Sequence, residues 1–330
     1  MSMLSYALRR FLYMIVLLVI LSVVVFIIIQ LPPGDYATAY IQRMKLQGGG
    51  EVTEDKIAAI RHQYGLDLPM YAQYLKWASG LLRGDLGRSF QWNRPIQELL
   101  AERLPITIVL SLVTLLFTYI VAIPIGIYAA THQYSVFDYA FTVIGFVGMA
   151  VPGFLFALIM LFLMYELFGV SAGGLFSREY AGAAWSWPKV WDMIKHLWTP
   201  IIVIGTAGTA GLIRVMRATL LDELSKPYVE TARAKGVAET RMLLKYPVRV
   251  AINPILSTIG WTLPDIFSGS TIVSIVLLLP TVGPLLLEAL RVQDFFVAGS
   301  IVMILTSLTF VGTFISDILL AWADPRVRFD

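Results

Sequence analysis

The chain has 330 residues, of which 58% are hydrophobic and only 14% charged, with a formal net charge of +3 and no cysteine. A soluble domain carries about 25% charged residues, so this chain cannot cover a soluble fold with polar surface and reads as an integral membrane protein. Missing cysteines exclude disulfides, Fe–S sites and cysteine nucleophiles, and His62, His132 and His196 lie too far apart in sequence to suggest a metal cage. The basic excess lies in loops and forms no stripe interleaved with aromatics, so nucleic-acid binding is not expected.

Arg9 and Arg10 precede a charge-free apolar run over residues 11–29, long enough to cross a bilayer. It is too long for a signal-peptide core, and residues 30–35 offer no small-x-small cleavage site. An uncleaved first span with its N-terminus inside is therefore expected. A polar insert follows, about residues 32–104. Thr53 can cap a short helix there, with Glu54 and Asp55 in its first turn and Gly65 at its end. Pro69 opens a second helix over residues 71–82, whose apolar stripe is Tyr71, Tyr74, Leu75, Ala78 and Leu82. Gly48, Gly49 and Gly50 form a flexible tip.

Span two covers about residues 106–130, with Pro124 and Gly126 as kink points. Span three covers 139–165, with Pro152 and Gly153 midway. Proline inside a span is tolerated where neighbours or water satisfy the freed carbonyl. Residues 169–196 form a short outer segment rich in tryptophan (Trp185, Trp187, Trp191, then Trp198), which suits the membrane interface. Span four, 197–213, carries Gly205, Ala207, Gly208, Ala210 and Gly211 at spacings that allow close helix approach. Span five runs from 252 to 279, interrupted by Pro264, Asp265 and Gly269. A short outer loop with Glu288, Arg291 and Asp294 leads to span six, 295–322. No repeat of 20–50 residues is evident, and one domain is expected over residues 1–330. The fold class is all-α integral membrane with six transmembrane helices.

Between spans four and five, about residues 221–250, lies the most informative stretch. From Arg214 to Arg249 there are eight Lys/Arg against four acids, a net of +4. A loop this basic belongs on the cytoplasmic side. Lys226-Pro227 suits a helix start, Gly236 a stop, and residues 238–246 resume a helical composition. Six spans put both termini and this loop on the same side, so topology and charge agree.

Glu230-Thr231-Ala232 followed by Gly236 resembles the Glu-Ala-Ala loop of the membrane subunits of ATP-driven importers. Residues 228–236, running on to Asn253-Pro254, are most similar to the dipeptide/oligopeptide/nickel branch. So are Gly84 to Phe90, Arg94-Pro95, Arg103 to Thr107, and the ending Asp324-Pro325-Arg326. The resemblance covers nearly the whole chain. It implies a coupling helix in which Tyr228, Glu230, Thr231, Ala232, Lys235 and Gly236 engage a separate ATPase. It also implies an outer loop, with Asp85, Arg88 and Phe90, beside an extracytoplasmic substrate-binding protein. The implied assembly holds a second permease and two ATP-binding subunits in a bacterial inner membrane. ATP and Mg would belong to those partners, with no cofactor in this chain. The chain departs from the branch at Ser274, where Glu is usual, at Pro280-Thr281-Val282-Gly283, and at Tyr246-Pro247. These departures leave peptides and oligosaccharides both open as cargo.

No Gly-x4-Gly-Lys-Ser/Thr occurs, so the chain cannot cradle nucleotide phosphates in the P-loop manner. HExxH, GxSxG and a carboxylate pair in a general-base context are also missing, and no enzyme is expected. Asp265 is the one acid well inside a span. A charge there costs about 2.5–3.5 kcal/mol on insertion scales, so it should face a bundle interior or a watery path. Ser268, Ser270 and Ser274 continue the polar character, with Ser270 and Ser274 on one helix face. A hydrogen bond across helices is the other role open to Asp265. An ion-coupled carrier or channel is the rival function, with Asp265 as its only titratable relay.

Overall fold

A computed structural model describes residues 3–30, 58, 61–62, 67–89, 91–169 and 171–323. The expected helix near Thr53, the glycine tip, Phe90 and the Asp324-Pro325-Arg326 tail lie outside these residues. Among the described residues the chain is helical, with a single isolated bridge between Arg88 and Pro95. The helices are α1 Met3–Gln30, α2 Met70–Leu82, α3 Ile96–Thr131, α4 Val136–Ala150, α5 Gly153–Phe168 and α6 Trp187–Leu224. They continue as α7 Pro227–Ala234, α8 Glu239–Lys245, α9 Pro247–Ala251, α10 Asn253–Val276, α11 Val282–Arg291 and α12 Phe295–Ala323.

Among the described residues four stretches are long and apolar enough to cross a membrane: Ser5–Ile28, Ile96–Thr131, Trp187–Leu224 and Phe295–Ile318. The pair α4 and α5, bent by 106°, passes the same test together and makes a fifth if it is one span. Span three is thus two helices meeting at a corner, where a single helix with a central proline was expected. Val151, extended at φ −82° and ψ 120°, sits before Pro152, in the conformation that a following proline imposes. Span five differs in the opposite sense. Pro264, Asp265 and Gly269 do not interrupt it, and α10 runs unbroken for 24 residues.

Two compact units divide the chain. The larger takes the described residues within Met1–Phe11, Ile106–Gly283 and Thr309–Asp330. Its hub is α6, on which α4, α5, α9 and α10 all pack. At 38 residues this helix is about 57 Å long, well beyond the ~30 Å hydrocarbon layer. The expected outer segment ends in its first turns, because Ser186 caps the backbone of Lys189 and Pro188 starts the helix. Lys189 is buried, with its ammonium 4.9 Å from the Phe176 ring centre and 5.1 Å from that of Trp185.

Small residues set the spacing around α6. A Cβ on Gly126 of α3 would lie 2.6 Å from the Met216 Cβ, and one on Gly148 of α4 2.8 Å from the Thr206 Cγ2. Backbones this close gain dispersion contacts, the main attraction left between helices in lipid. Gly205 and Gly208 face α3 through Phe117 and Thr118, whereas a Cβ on Gly211 would meet nothing within 4 Å. The expected close approach therefore holds for part of the small-residue set only. In the same unit Arg10 and Asp317 pair at 3.4 Å.

The smaller unit takes the described residues within Leu12–Pro105 and Pro284–Leu308. Phe26 of α1 and Trp77 of α2 form its apolar centre with Val25, flanked by Tyr74, Ala78 and Leu81. The face of α2 that packs is therefore Tyr74, Trp77, Ala78 and Leu81, while Tyr71, Leu75 and Leu82 of the expected stripe are exposed. Residues 96–104, expected in the polar insert, are the first turns of α3. Asp294, expected in an outer loop, is fully buried.

Candidate coupling loop and inner cleft

The loop after α6 is a folded object with its own small core. Lys226 is extended, and Pro227 begins α7 where its missing N–H leaves nothing unpaired. The helix ends in a Schellman turn. Val237 N–H donates to the Ala232 carbonyl at 3.2 Å and Gly236 N–H to the Arg233 carbonyl at 2.9 Å, the paired bonds of that motif. Gly236 has φ +74°, a left-handed conformation that glycine adopts without a Cβ penalty. The chain then re-enters α8, and Val229, Ala232 and Met242 close together with Val237 against them. Val229 and Met242 are completely buried, and each such side chain contributes about 1.5–3 kcal/mol in water.

This packing divides the loop residues picked out in the sequence. Ala232 is buried and belongs to the loop's own core. Glu230, Thr231, Lys235 and Gly236 are exposed, with the Thr231 hydroxyl donating to the Pro227 carbonyl at 2.9 Å. Tyr228 Oη donates to the Glu223 carboxylate at 2.5 Å, which ties α7 to the end of α6. Partial burial and that carboxylate raise the Tyr228 hydroxyl above the ordinary tyrosine value, so it stays a neutral donor. Arg233 meets Glu239 at 2.7 Å across the turn. The hydrogen bond to Arg233 holds the Glu239 carboxyl below its usual range.

The path candidates separate as well. A cleft of about 460 Å³ is lined by Ala207, Gly208 and Gly211 of α6, by Thr258, Thr262 and Ile266 of α10, and by Gly153. Ser270 and Ser274 do not line it. Both are buried, and the Ser274 hydroxyl has no hydrogen-bond partner among the described residues. Asp265 and Ser268 lie on α10, but their side chains fall outside the described residues. Thr258, Thr262 and Gly211 were not picked out as path residues. Their signal was available as a polar stripe at i and i+4 opposite a glycine.

Between α2 and α3, Asp85 and Arg88 are held by their own segment. The Asp85 carboxylate accepts from Gly87 N–H at 2.9 Å and from Gln97 Nε2 at 3.3 Å. The Arg88 guanidinium donates to the Asn93 carbonyl at 2.9 Å. Asp294 anchors this segment by accepting from the Ser89 hydroxyl and the Gln91 N–H.

These features define a multi-pass helical membrane protein with a folded basic loop between two long apolar helices. Residues 122–329 match the family described as binding-protein-dependent transport system inner membrane component, and residues 3–111 match that family's N-terminal region. The chain belongs to this family, and is a permease subunit of an ATP-driven importer. It is 34% identical to the oligopeptide transport system permease protein AppB of Bacillus subtilis (strain 168), over 99% of this chain and 100% of the relative. It is 29% identical to the dipeptide transport system permease protein DppB of Alkalihalophilus pseudofirmus, over 99% and 100%. Identity to the glutathione transport system permease protein GsiC of Salmonella paratyphi A is 30%, again over 99% and 100%. Membership replaces the ion-coupled carrier with a transport component that works with a binding protein.

Proposed function

We propose that this permease imports short peptides. It would form half of the translocation path and couple that path to separate ATPase subunits through α7. The observation that carries the reading is the build of the α7–α8 loop. Its core, Val229, Ala232 and Met242, is satisfied internally, which leaves Glu230, Thr231 and Lys235 free to meet a partner. A self-folded, charged helix tied to the end of α6 suits a lever better than a linker. The relatives named for oligopeptides, dipeptides and glutathione support peptides over oligosaccharides.

The full assembly would hold a second permease, two ATPases carrying ATP and Mg, and an extracytoplasmic binding protein. Six spans would cross the membrane, with α10 the sixth at about 36 Å, and both termini would lie in the cytoplasm. Thr258 and Thr262 would line the path, with Asp265 and Ser268 on the same helix. Asp85, Arg88 and Phe90 would lie in the loop beside the binding protein. Nucleotide would drive transport by binding one of two conformations preferentially.

Reconstituted with its partners, a Glu230→Lys variant is expected to insert normally and to lose uptake of labelled di- to pentapeptides. Normal uptake by that variant would end the coupling role. Thermal-shift screening of the binding protein against peptides and oligosaccharides checks the cargo separately.

A further inference from the structure

Asp138 lies at the start of α4 and Arg217 near the end of α6, 79 positions apart in sequence. They meet in a two-pronged pair, Nε to Oδ1 and Nη2 to Oδ2, each at 2.9 Å. The Asp138 side chain is only 4% exposed. Its carboxylate also accepts the Tyr134 N–H at 3.0 Å, while Asp138 N–H donates to the Ser135 hydroxyl at 3.2 Å. This reciprocal capping fixes the carboxylate to the α3–α4 turn before it meets the guanidinium. Planar, bidentate pairs of this kind hold orientation as well as distance.

We propose that Asp138 and Arg217 are positioning residues for transport. Resting on the coupling role of α7 above, they would carry movement of that helix to the corner at Pro152. Movement of α7 reaches the end of α6 through Tyr228 and Glu223. From there α4 is fastened along α6. Asp138 holds Arg217, the Phe146 ring lies 5.1 Å from the Arg214 guanidinium, and Gly148 meets Thr206. These contacts run in opposite directions along the two helices, so α4 follows α6 as one body. Beyond the corner, α5 packs on α10 as well as on α6. A Cβ on Gly153 would touch Val273 of α10 at 3.3 Å. The corner thus joins a helix held on α6 to one shared between α6 and α10, and Gly153 at that corner lines the cleft. On this proposal, turning α6 against α10 would open or close it.

A static staple is the competing account, and a double variant separates the two. In Asp138→Asn with Arg217→Met, the Asn oxygen keeps the cap and no unpaired charge is left buried. The large penalty for breaking a buried pair comes from an uncompensated charge, and this double variant leaves none. The reporter is Thr262→Cys, the only thiol in a chain that has none, labelled with an impermeant maleimide in the complete reconstituted transporter, with and without ATP and vanadate. The double variant is expected to fold and hydrolyse ATP while the nucleotide-dependent change in labelling falls about tenfold. A change of wild-type size would overturn the proposal. Poor insertion of the double variant would assign the pair a folding role and overturn it too. Normal uptake by Glu230→Lys would instead remove the coupling role itself, so the two failures are told apart.

Discussion

The Ser89 hydroxyl donates to the Asp294 carboxylate at 2.6 Å, a buried bond between residues 205 positions apart. The same carboxylate accepts Gln91 N–H at 3.0 Å and, through its other oxygen, Val297 N–H at 3.4 Å. One side chain thus fastens the segment between α2 and α3 and caps the first turn of α12. Asp294→Ala removes the cap, worth ~1 kcal/mol, and leaves buried donors unsatisfied at about 1–3 kcal/mol each. A loss of roughly 3 kcal/mol is expected, read as a lower unfolding temperature in detergent and faster trypsin cleavage at Arg88. Asp294→Asn, which keeps an acceptor, is expected to lose less.

At Gly236 the cost of substitution lies in the backbone alone. Its φ is +74° and a Cβ there meets nothing within 4 Å. The left-handed conformation costs a residue with a Cβ about 1–2 kcal/mol, with Asn penalised least. Uptake should therefore fall in the order Gly, Asn, Ala, Val, while membrane insertion stays constant. Equal uptake by the Ala and Val variants would mean that this turn is not needed.

The order of helices was legible from apolar runs, and the α7 boundaries followed from Pro227 and Gly236 because capping is local chemistry. The prolines were not legible. Pro152 breaks its span at 106° while Pro200 sits inside an unbroken α6. Val151 before Pro152 is extended, whereas the helix continues through Pro200, and the proline alone does not encode which outcome follows. Asp138 was missed for a related reason. Its capping partner Ser135 lies only three residues earlier, but its charge partner is fixed only once α4 packs on α6.

The Arg233–Glu239 pair makes the loop sensitive to acid. Hydrogen bonding to Arg233 lowers the Glu239 pKa in the folded loop. The stabilisation is therefore complete above the unfolded value, about 4.3, and is lost as pH falls through the lower folded one. Both groups are solvent-exposed, so salt should weaken the effect. Hydrogen exchange at Val237 is expected to be flat from neutral pH to about 5, after correction for intrinsic rates, and to rise below that. Glu239→Gln should remove the rise; a rise that survives would assign it to another group.

Two glycines near α6 separate packing from function. A Cβ on Gly126 would sit 2.6 Å from the Met216 Cβ and 3.1 Å from the Ile213 carbonyl oxygen, whereas Gly211 has open space and lines the cleft. Overpacking costs about 1–3 kcal/mol, so Gly126→Ala should lower the unfolding temperature in detergent. An added methyl at Gly211 strains nothing, and Gly211→Ala should stay within about 0.5 kcal/mol of the parent. Gly211→Trp starts from a Cβ that meets nothing within 4 Å and extends into the cleft. It is expected to keep the parent's stability and binding-protein-stimulated ATP hydrolysis while abolishing peptide uptake. Undiminished uptake through a tryptophan at this position would show that solute passes elsewhere. Loss of stability there would show that Gly211 is packed in the assembly, where the second subunit would be the nearest candidate to cover it.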